Sequence, residues 1–343
     1  MSDKVNVLLA GAGRAGLVHG RNLAHATPGA TLVGVTDPNR EARERAVAEL
    51  GCDLAFDDPV DAVGDERVDA VVVAAPTFSH ASIVTAALEA GKHVLCEKPL
   101  AATPEDAWAI ARAVEASVGS FSMAFMRRFD PRFVRAAERI SAGEIGEPIL
   151  VRSTGRGPGL PPEWAWDPEA SGGLIAEVNS HDLDTVRWLT GQEFASVHAF
   201  GRAAKRSDIA ERHPGFVDVV IASFELDRGG LAQVDGACPA DYGYDARVEI
   251  YGSEGVLLVG SPVASSTVLV RRGSVTTDPV ASWRELFADA YRAEDAHFVA
   301  VARGEAQPRT DIQDGLRALE AVLAVRSALS TGRRVSFDDV NLV

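Results

Sequence analysis

The run Val5-Asn6-Val7-Leu8-Leu9-Ala10 leads without a break into Gly11-Ala12-Gly13-Arg14-Ala15-Gly16, and a helical pattern follows to about Ala26. An apolar run of that length suits a strand buried on both faces, which is the condition of a parallel sheet. Three glycines spaced G-x-G-x-x-G between a strand and a helix are far more specific than the bare pattern. Gly11 permits the tight turn, Gly13 lets the backbone come close to a pyrophosphate, and Gly16 lets helix and strand pack together. The phosphates of a dinucleotide would then rest on the free N–H groups and positive end of the helix, at Gly13, Arg14, Ala15 and Gly16.

The alternation continues along the first two fifths of the chain. Strands are expected at Thr31–Thr36, Val68–Ala75, His93–Cys96 and Ser120–Phe125, with helices at Ser79–Ala90, Pro104–Val118 and Pro131–Ala142. Strands separated by helices make a doubly wound parallel sheet. Asp37 ends the second strand about 20 residues after the glycines, where a carboxylate accepts from the adenosine ribose hydroxyls and repels a 2′-phosphate. That favours NAD over NADP, although Arg40 is placed to soften the preference. Asp37 also suits the N-cap of a helix beginning near Pro38. The Pro76-Thr77 turn closes the third strand beside the expected cofactor.

Cys96-Glu97-Lys98-Pro99-Leu100 is the other unusual segment. Pro99 has no N–H to extend a ladder, so the strand stops and leaves Glu97 and Lys98 at its carboxyl end, where open α/β sheets bind ligands. A solvated surface turn is the plainer alternative.

After Gly146-Glu147-Pro148 the texture changes to β-rich segments at Ile149–Gly155, Phe194–Ala203, Phe216–Leu226, Gly230–Gly236, Ala246–Gly252 and Val256–Val259. Such a run reads as a mostly antiparallel sheet in an α+β second domain. Phe216–Leu226 is apolar at nearly every position, so both faces should be covered, one by helices and the other by a second subunit. Helices at about Ser282–Arg303 and Asp311–Leu329, with Gly332 as C-cap, close the chain. The domains expected are 1–126, a dinucleotide-binding unit, and 127–343, a substrate-binding and oligomerisation unit whose last helix packs back on the first. Within the second, Glu177 and His181 are four residues apart, which on a helical turn puts their Cβ atoms about 5–6 Å from each other. A carboxylate that near can orient an imidazole as a general base. Asn179 or Ser180 suits the N-cap, with Asp182 and Asp184 in the first turn. A capped surface helix is the competing reading.

Composition narrows the function. With 343 residues the chain has room for two cores, and a net charge of −15 argues against nucleic acid and anionic membranes as partners. Three scattered cysteines suggest neither a disulfide framework nor a zinc site, and no apolar run approaches the ~20 residues of a membrane span. The expected compartment is the reducing cytoplasm.

The ordered set Gly11-x-Gly13-x-x-Gly16, Ala90 to Pro99, Arg127-Arg128-Phe129-Asp130 and Gly172-Gly173…His181-Asp182-x-Asp184 resembles the Gfo/Idh/MocA oxidoreductases, and within them the inositol 2-dehydrogenases. The resemblance implies a Rossmann domain, a C-terminal domain with a large open sheet, and a homodimer or homotetramer built on that sheet. It implies NAD contacts from Gly11, Gly13, Arg14, Ala15, Gly16, Asp37, Arg40, Pro76, Thr77, His80, Glu97 and Lys98. It implies catalysis by Lys98 and His181 with Glu177, and polyol contacts from Met126, Arg127, Arg156, Tyr242, Tyr244, Trp283 and Tyr291. No metal is implied. Trp283, Phe287 and Tyr291 recur every four residues and so would share a helix face. Two departures stand out: Glu177 replaces the family's aspartate, and Arg156-Gly157-Pro158 replaces an Arg-Asp-Pro loop. Gly157 thus lacks a carboxylate for a substrate hydroxyl, which alters the choice of polyol or sugar. The activity implied is oxidation of a secondary ring hydroxyl, with hydride passing to NAD. Two other readings stay open: hydrolysis or elimination through a transient keto-sugar, and NAD sensing without chemistry.

Overall fold

The computed structural model describes residues 4–340 and 342. By its internal contacts the chain divides into one unit of Met1–Phe129 with Asp289–Leu316 and another of Asp130–Ala288 with Arg317–Val343. The first division thus falls after Phe129, and a C-terminal segment is shared with the first unit.

The first unit alternates β1 Val5–Ala10, α1 Arg14–His25, β2 Ala30–Thr36, α2 Arg40–Leu50, β3 Leu54–Phe56, α3 Pro59–Val63, β4 Ala70–Val73, α4 His80–Glu89, β5 His93–Glu97, α5 Pro104–Ala116 and β6 Phe121–Ala124. The six strands pair in the order β3-β2-β1-β4-β5-β6, parallel throughout. The order reverses between β1 and β4, the point at which such sheets open a crevice at their carboxyl ends. Val7, Leu8, Leu9, Val71, Val72 and Val73 have no exposed surface, as apolar runs in a doubly covered sheet require. Phe298 and Val299, from the returning segment, lie in the same core. The sequence reading missed β3 and α3, a three-residue strand and a one-turn helix too short for a periodic signal.

The second unit contains α6 Pro131–Ser141, β7 Pro148–Arg156, α7 Pro168–Ser171, α8 Gly173–Glu177, α9 Ser180–Thr190, β8 Phe194–Arg202, α10 Ser207–Ala210, β9 Val219–Leu226, β10 Leu231–Ala237, β11 Asp245–Gly252, β12 Val256–Val259, β13 Val263–Arg271, β14 Ser274–Pro279 and α11 Trp283–Leu286. The chain closes with α12 Ala288–Ala302, α13 Ile312–Thr331 and β15 Val335–Ser336. A seven-stranded sheet runs β12-β11-β7-β10-β9-β8-β15, antiparallel except for the parallel pair β7 and β10. Helices α8 and α9 lie on its central strands. Strand β9 alternates along its length, with Val220, Ala222, Phe224 and Leu226 buried and Val219, Ile221, Ser223 and Glu225 exposed. Among the described residues, therefore, only one of its faces is covered.

Three local expectations are corrected. Asn39, not Asp37, caps α2, its side chain accepting from the Ala42 N–H. Asn179 takes the N-cap position of α9 but makes no capping bond with its side chain. The helix expected over Ser282–Arg303 breaks at Phe287, so Trp283, Phe287 and Tyr291 do not share one continuous helix face. Gly332, at φ +66°, closes α13 as expected, its N–H donating to the Ala328 carbonyl.

Candidate active site

In the first unit the glycine loop, the end of β2 and the turn after β4 meet at the switch point. Gly11 has φ +104°, and a Cβ there would lie 2.6 Å from the Ala74 carbonyl oxygen. A Cβ on Gly16 would lie 1.9 Å from the Gly11 carbonyl oxygen, so only glycine lets α1 come this close to β1. At Gly13 the corresponding position is open, with nothing within 4 Å. The loop is thus closed against the sheet and open on the side facing the helix end. Gly13 and Arg14 are exposed and Ala15 half-buried.

Asp37 ties this loop to β2. One carboxylate oxygen accepts from the Ala12 N–H and the other from the Asn39 N–H, each at 2.8 Å. Lone pairs remain for ribose hydroxyls, since each carboxylate oxygen can accept more than one bond. Open space beside Gly13, a helix terminus with unsatisfied N–H groups and this fixed carboxylate fit NAD. Arg40 pairs with Glu44 at 2.7 Å, four residues along an exposed helix face. The sequence reading overlooked Arg43, which donates to the Asp37 carbonyl at 2.6 Å and pairs with Asp57.

Pro76 is half-buried and Thr77 buried in the short turn Thr77–Ser79 after β4. His80 is buried, with Nδ1 2.9 Å from the Pro99 carbonyl oxygen and Nε2 2.9 Å from that of Ala75. Its ring braces two turns against each other, and burial pushes its pKa below the usual histidine range. Lys98 is half-buried at the end of β5, and its backbone N–H donates to Glu97 Oε2 at 3.0 Å. Glu97 is buried. Burial pushes its carboxyl up, but hydrogen bonding and charge from His19, with Lys98 adding to them, more than offset this and leave it low. Met126 and Arg127 are also buried, in the turn Met126–Phe129 that follows β6.

In the second unit His181 sits in the first turn of α9, 6 % exposed. Nearly every residue from Ser180 to Thr190 is buried, so the surface-helix alternative does not hold. Glu177, half-buried, ends α8, and the two helices meet across Val178 and Asn179. What holds this junction was not anticipated from sequence. Asn179 donates to Asp182 Oδ2 at 2.9 Å and to the Asp235 carbonyl at 3.1 Å, and Ser153 donates to Asp182 Oδ1 at 2.6 Å. The cross-strand pair Gly155 and Gly236 makes room for it. A Cβ on Gly236 would lie 2.0 Å from Asn179 Oδ1, and one on Gly155 2.2 Å from Asp182 Oδ2. The sheet is hollowed by two glycines so that a buried polar network can seat the start of α9.

Arg156, at the end of β7, and Tyr242, in the segment before β11, are brought together. Arg156 Nε donates to Asp235 at 2.6 Å, and the Tyr242 hydroxyl lies 3.4 Å from its Nη1 and donates to Asp245 at 2.7 Å. Burial pushes the Asp245 carboxyl up, but bonds from Arg247 and Tyr242 leave it below its usual range. Asp235 was missed because only the register of β7 and β10 joins it to Arg156. The other aromatic candidates are dispersed. Trp283 stacks under the Arg284 guanidinium, Tyr244 meets Phe287 edge-on, and Tyr291 belongs to the first unit, edge-on to His19 at 5.3 Å.

Residues 5–125 match the family model described as an oxidoreductase family with an NAD-binding Rossmann fold, and residues 133–258 match the Gfo/Idh/MocA C-terminal domain. The chain is 34% identical to the scyllo-inositol 2-dehydrogenase (NAD(+)) of Bacillus subtilis over 98% of both proteins. It is 38% identical to inositol 2-dehydrogenase 1 of Saccharopolyspora erythraea over 88% of this chain and 87% of that protein. Scyllo-inositol dehydrogenase from Lactobacillus casei, solved with bound NAD(H) and scyllo-inositol, superposes with a TM-score of 0.90 at 28% identity, covering 98% of this chain and 99% of that one. On its sequence, its two matched domains and its NAD site, the chain belongs to the Gfo/Idh/MocA oxidoreductases.

Proposed function

We propose that the protein oxidises a secondary ring hydroxyl of a cyclic polyol or pyranose sugar to a ketone with NAD. The observation that carries this reading is a half-buried lysine at the carboxyl end of β5, one strand from the switch point at which the glycine loop and Asp37 prepare a dinucleotide site. NAD, when bound, accepts the hydride. His181 takes the hydroxyl proton, with Glu177 orienting its ring, and Lys98 as an ammonium stabilises the negative charge that develops on the oxygen. Arg156 and Tyr242, spread over β7 and the segment before β11, offer donors to neighbouring hydroxyls, as do Tyr244 and Trp283. Met126 and Arg127 complete the polyol contacts, with Tyr291 beside His19.

The inositol dehydrogenases named above support a cyclic polyol as substrate class. Gly157 argues for a ligand other than the one an Arg-Asp-Pro loop selects. The exposed face of the second unit's sheet carries Phe200, Ile221, Leu231, Tyr251 and Leu258, and a second copy of the chain would cover it in a homodimer or homotetramer. Three free, buried cysteines suit a reducing cytoplasm. Among the described residues, no helix is long and apolar enough to cross a membrane. The test is NADH formation across inositol isomers, aldoses, anhydrosugars and glycosides, with NADP in parallel. A strong NAD-linked hit on a ring alcohol is expected. Silence across the panel while NAD still binds would turn the reading toward hydrolysis or sensing.

A further inference from the structure

Behind Lys98 the first unit buries four ionisable side chains that the reaction itself does not use. His19, on the helix that starts at the glycine loop, has no exposed surface. Its Nδ1 lies 2.6 Å from Asp295 Oδ1 and its Nε2 3.3 Å from Glu97 Oε1. Asn22 donates to the other oxygen of Asp295 at 2.8 Å, and Tyr291 packs edge-on against the His19 ring. Glu294 is 1 % exposed, and neither of its carboxyl oxygens has a hydrogen-bond partner among the described residues.

The charges follow from these contacts. Burial alone would push His19 down, but Asp295 and then Glu97 outweigh it and hold the imidazole well above its usual range. Burial, with Glu97 and Asp295 adding to it, pushes the Glu294 carboxyl well up against the opposing pull of His19. The His19 imidazole is thus held between Asp295 and Glu97, beside a Glu294 carboxyl that burial pushes up.

Glu97 is bridged. One oxygen faces His19 and the other accepts the Lys98 backbone N–H, so the peptide from which the Lys98 side chain departs is held by a carboxylate whose orientation His19 sets. We propose that His19 is a positioning residue for Lys98, acting through the Glu97 carboxylate. The proposal rests on Lys98 having the catalytic role given above. It also ties the Lys98 turn to α1, and so couples the dinucleotide loop to the reacting group through one buried brace.

The experiment compares His19→Gln, Asp295→Asn and Lys98→Ala in the full-length protein, measuring kcat and KM against pH together with NAD affinity. In His19→Gln, kcat is expected to fall about tenfold to a hundredfold, the scale of a misplaced catalytic group, while NAD affinity changes little. The acid limb of its kcat profile should move to higher pH, because burial then prevails at Glu97 and the carboxyl takes a proton earlier. Asp295→Asn keeps the His19–Glu97 contact but weakens the charge on His19, so it should shift the limb the same way by less. If His19→Gln does not fold, Asp295→Asn alone decides. An unmoved pH profile and kcat, with Lys98→Ala inactive, would overturn the positioning role and leave the catalytic one standing. A loss confined to NAD affinity would do the same, assigning His19 to the helix alone. Near-normal turnover in Lys98→Ala would instead remove the catalytic reading itself, and the positioning role with it.

Discussion

The candidate sites of the two units are built from different materials. The first works mainly with backbone: Gly11 and Gly16 bring helix against strand, Gly13 leaves space at a helix end, and the N–H groups of Ala12 and Asn39 hold Asp37. The second works with side chains on a hollowed sheet. Gly155 and Gly236 admit the Asn179–Asp182–Ser153 network, and Arg156, Asp235, Tyr242, Asp245 and Arg247 form a chain of bonds across three elements. A site made of backbone is tied to local conformation and recognises what dinucleotides share. A site made of side chains can change one residue at a time, which is how the choice of polyol would vary on a constant cofactor platform.

The largest effects should come from the two groups proposed to carry the reaction. Lys98→Ala and His181→Ala are each expected to lower kcat by about 10²–10⁴-fold, the range for acid–base groups, with NAD affinity largely spared. Steady-state kinetics with NAD titration checks this, and near-normal turnover in both would contradict the assignment.

A pair of glycine substitutions separates the units. In Gly16→Ala the new Cβ meets the Gly11 carbonyl at 1.9 Å, and NAD affinity should fall by about one to two orders of magnitude if the overpacking costs ~1–3 kcal/mol. In Gly236→Ala the Cβ meets Asn179 at 2.0 Å, which should lower kcat and thermal stability while NAD binding persists. Loss of NAD binding in both would erase the distinction between the units.

A smaller effect is expected at Gly157, where a Cβ finds Cys238 Sγ at 3.5 Å, an ordinary contact. Gly157→Asp should therefore fold, and it should change the ratio of kcat/KM between inositol isomers by about tenfold, with NAD affinity unchanged. An unaltered ratio would remove position 157 from substrate choice.

The smallest effect concerns stability. The Glu294 carboxyl has its folded pKa raised above the unfolded value, so its contribution is fully present below about pH 4.3 and is lost as pH rises toward the folded value, at up to ~1.4 kcal/mol per pH unit. Glu294→Gln mimics the protonated carboxyl and should flatten that part of the decline in Tm that begins above about pH 4.3. His19, whose pKa is also raised, keeps its own alkaline loss. Equal destabilisation of the variant at pH 5 and pH 8 would contradict a raised pKa at Glu294.

The same contrast explains what could be read before any coordinates. The Rossmann strands and helices, the glycine loop, Asp37 and the Lys98 strand end were legible because each depends on residues close together in the chain. Most strands of the second sheet were legible too, although β9 alternates between buried and exposed faces despite its apolar run. The Asn179–Asp182 network was not, because it exists only once β7 and β10 are paired in register. Nor was the break at Phe287, whose ring packs against Phe133 and Tyr244. The neighbouring acids Glu294 and Asp295 gave no hint that burial raises the pKa of one and that the other pairs with a histidine 276 residues away.

Net oxidation of a ring hydroxyl is tested by following hydrogen. With a substrate carrying deuterium at the carbinol carbon, the account predicts one deuterated NADH for each ketone released, with a primary isotope effect on hydride transfer. Product formed without net NADH, or deuterium returned to the sugar ring, would contradict it and point to a transient keto-sugar.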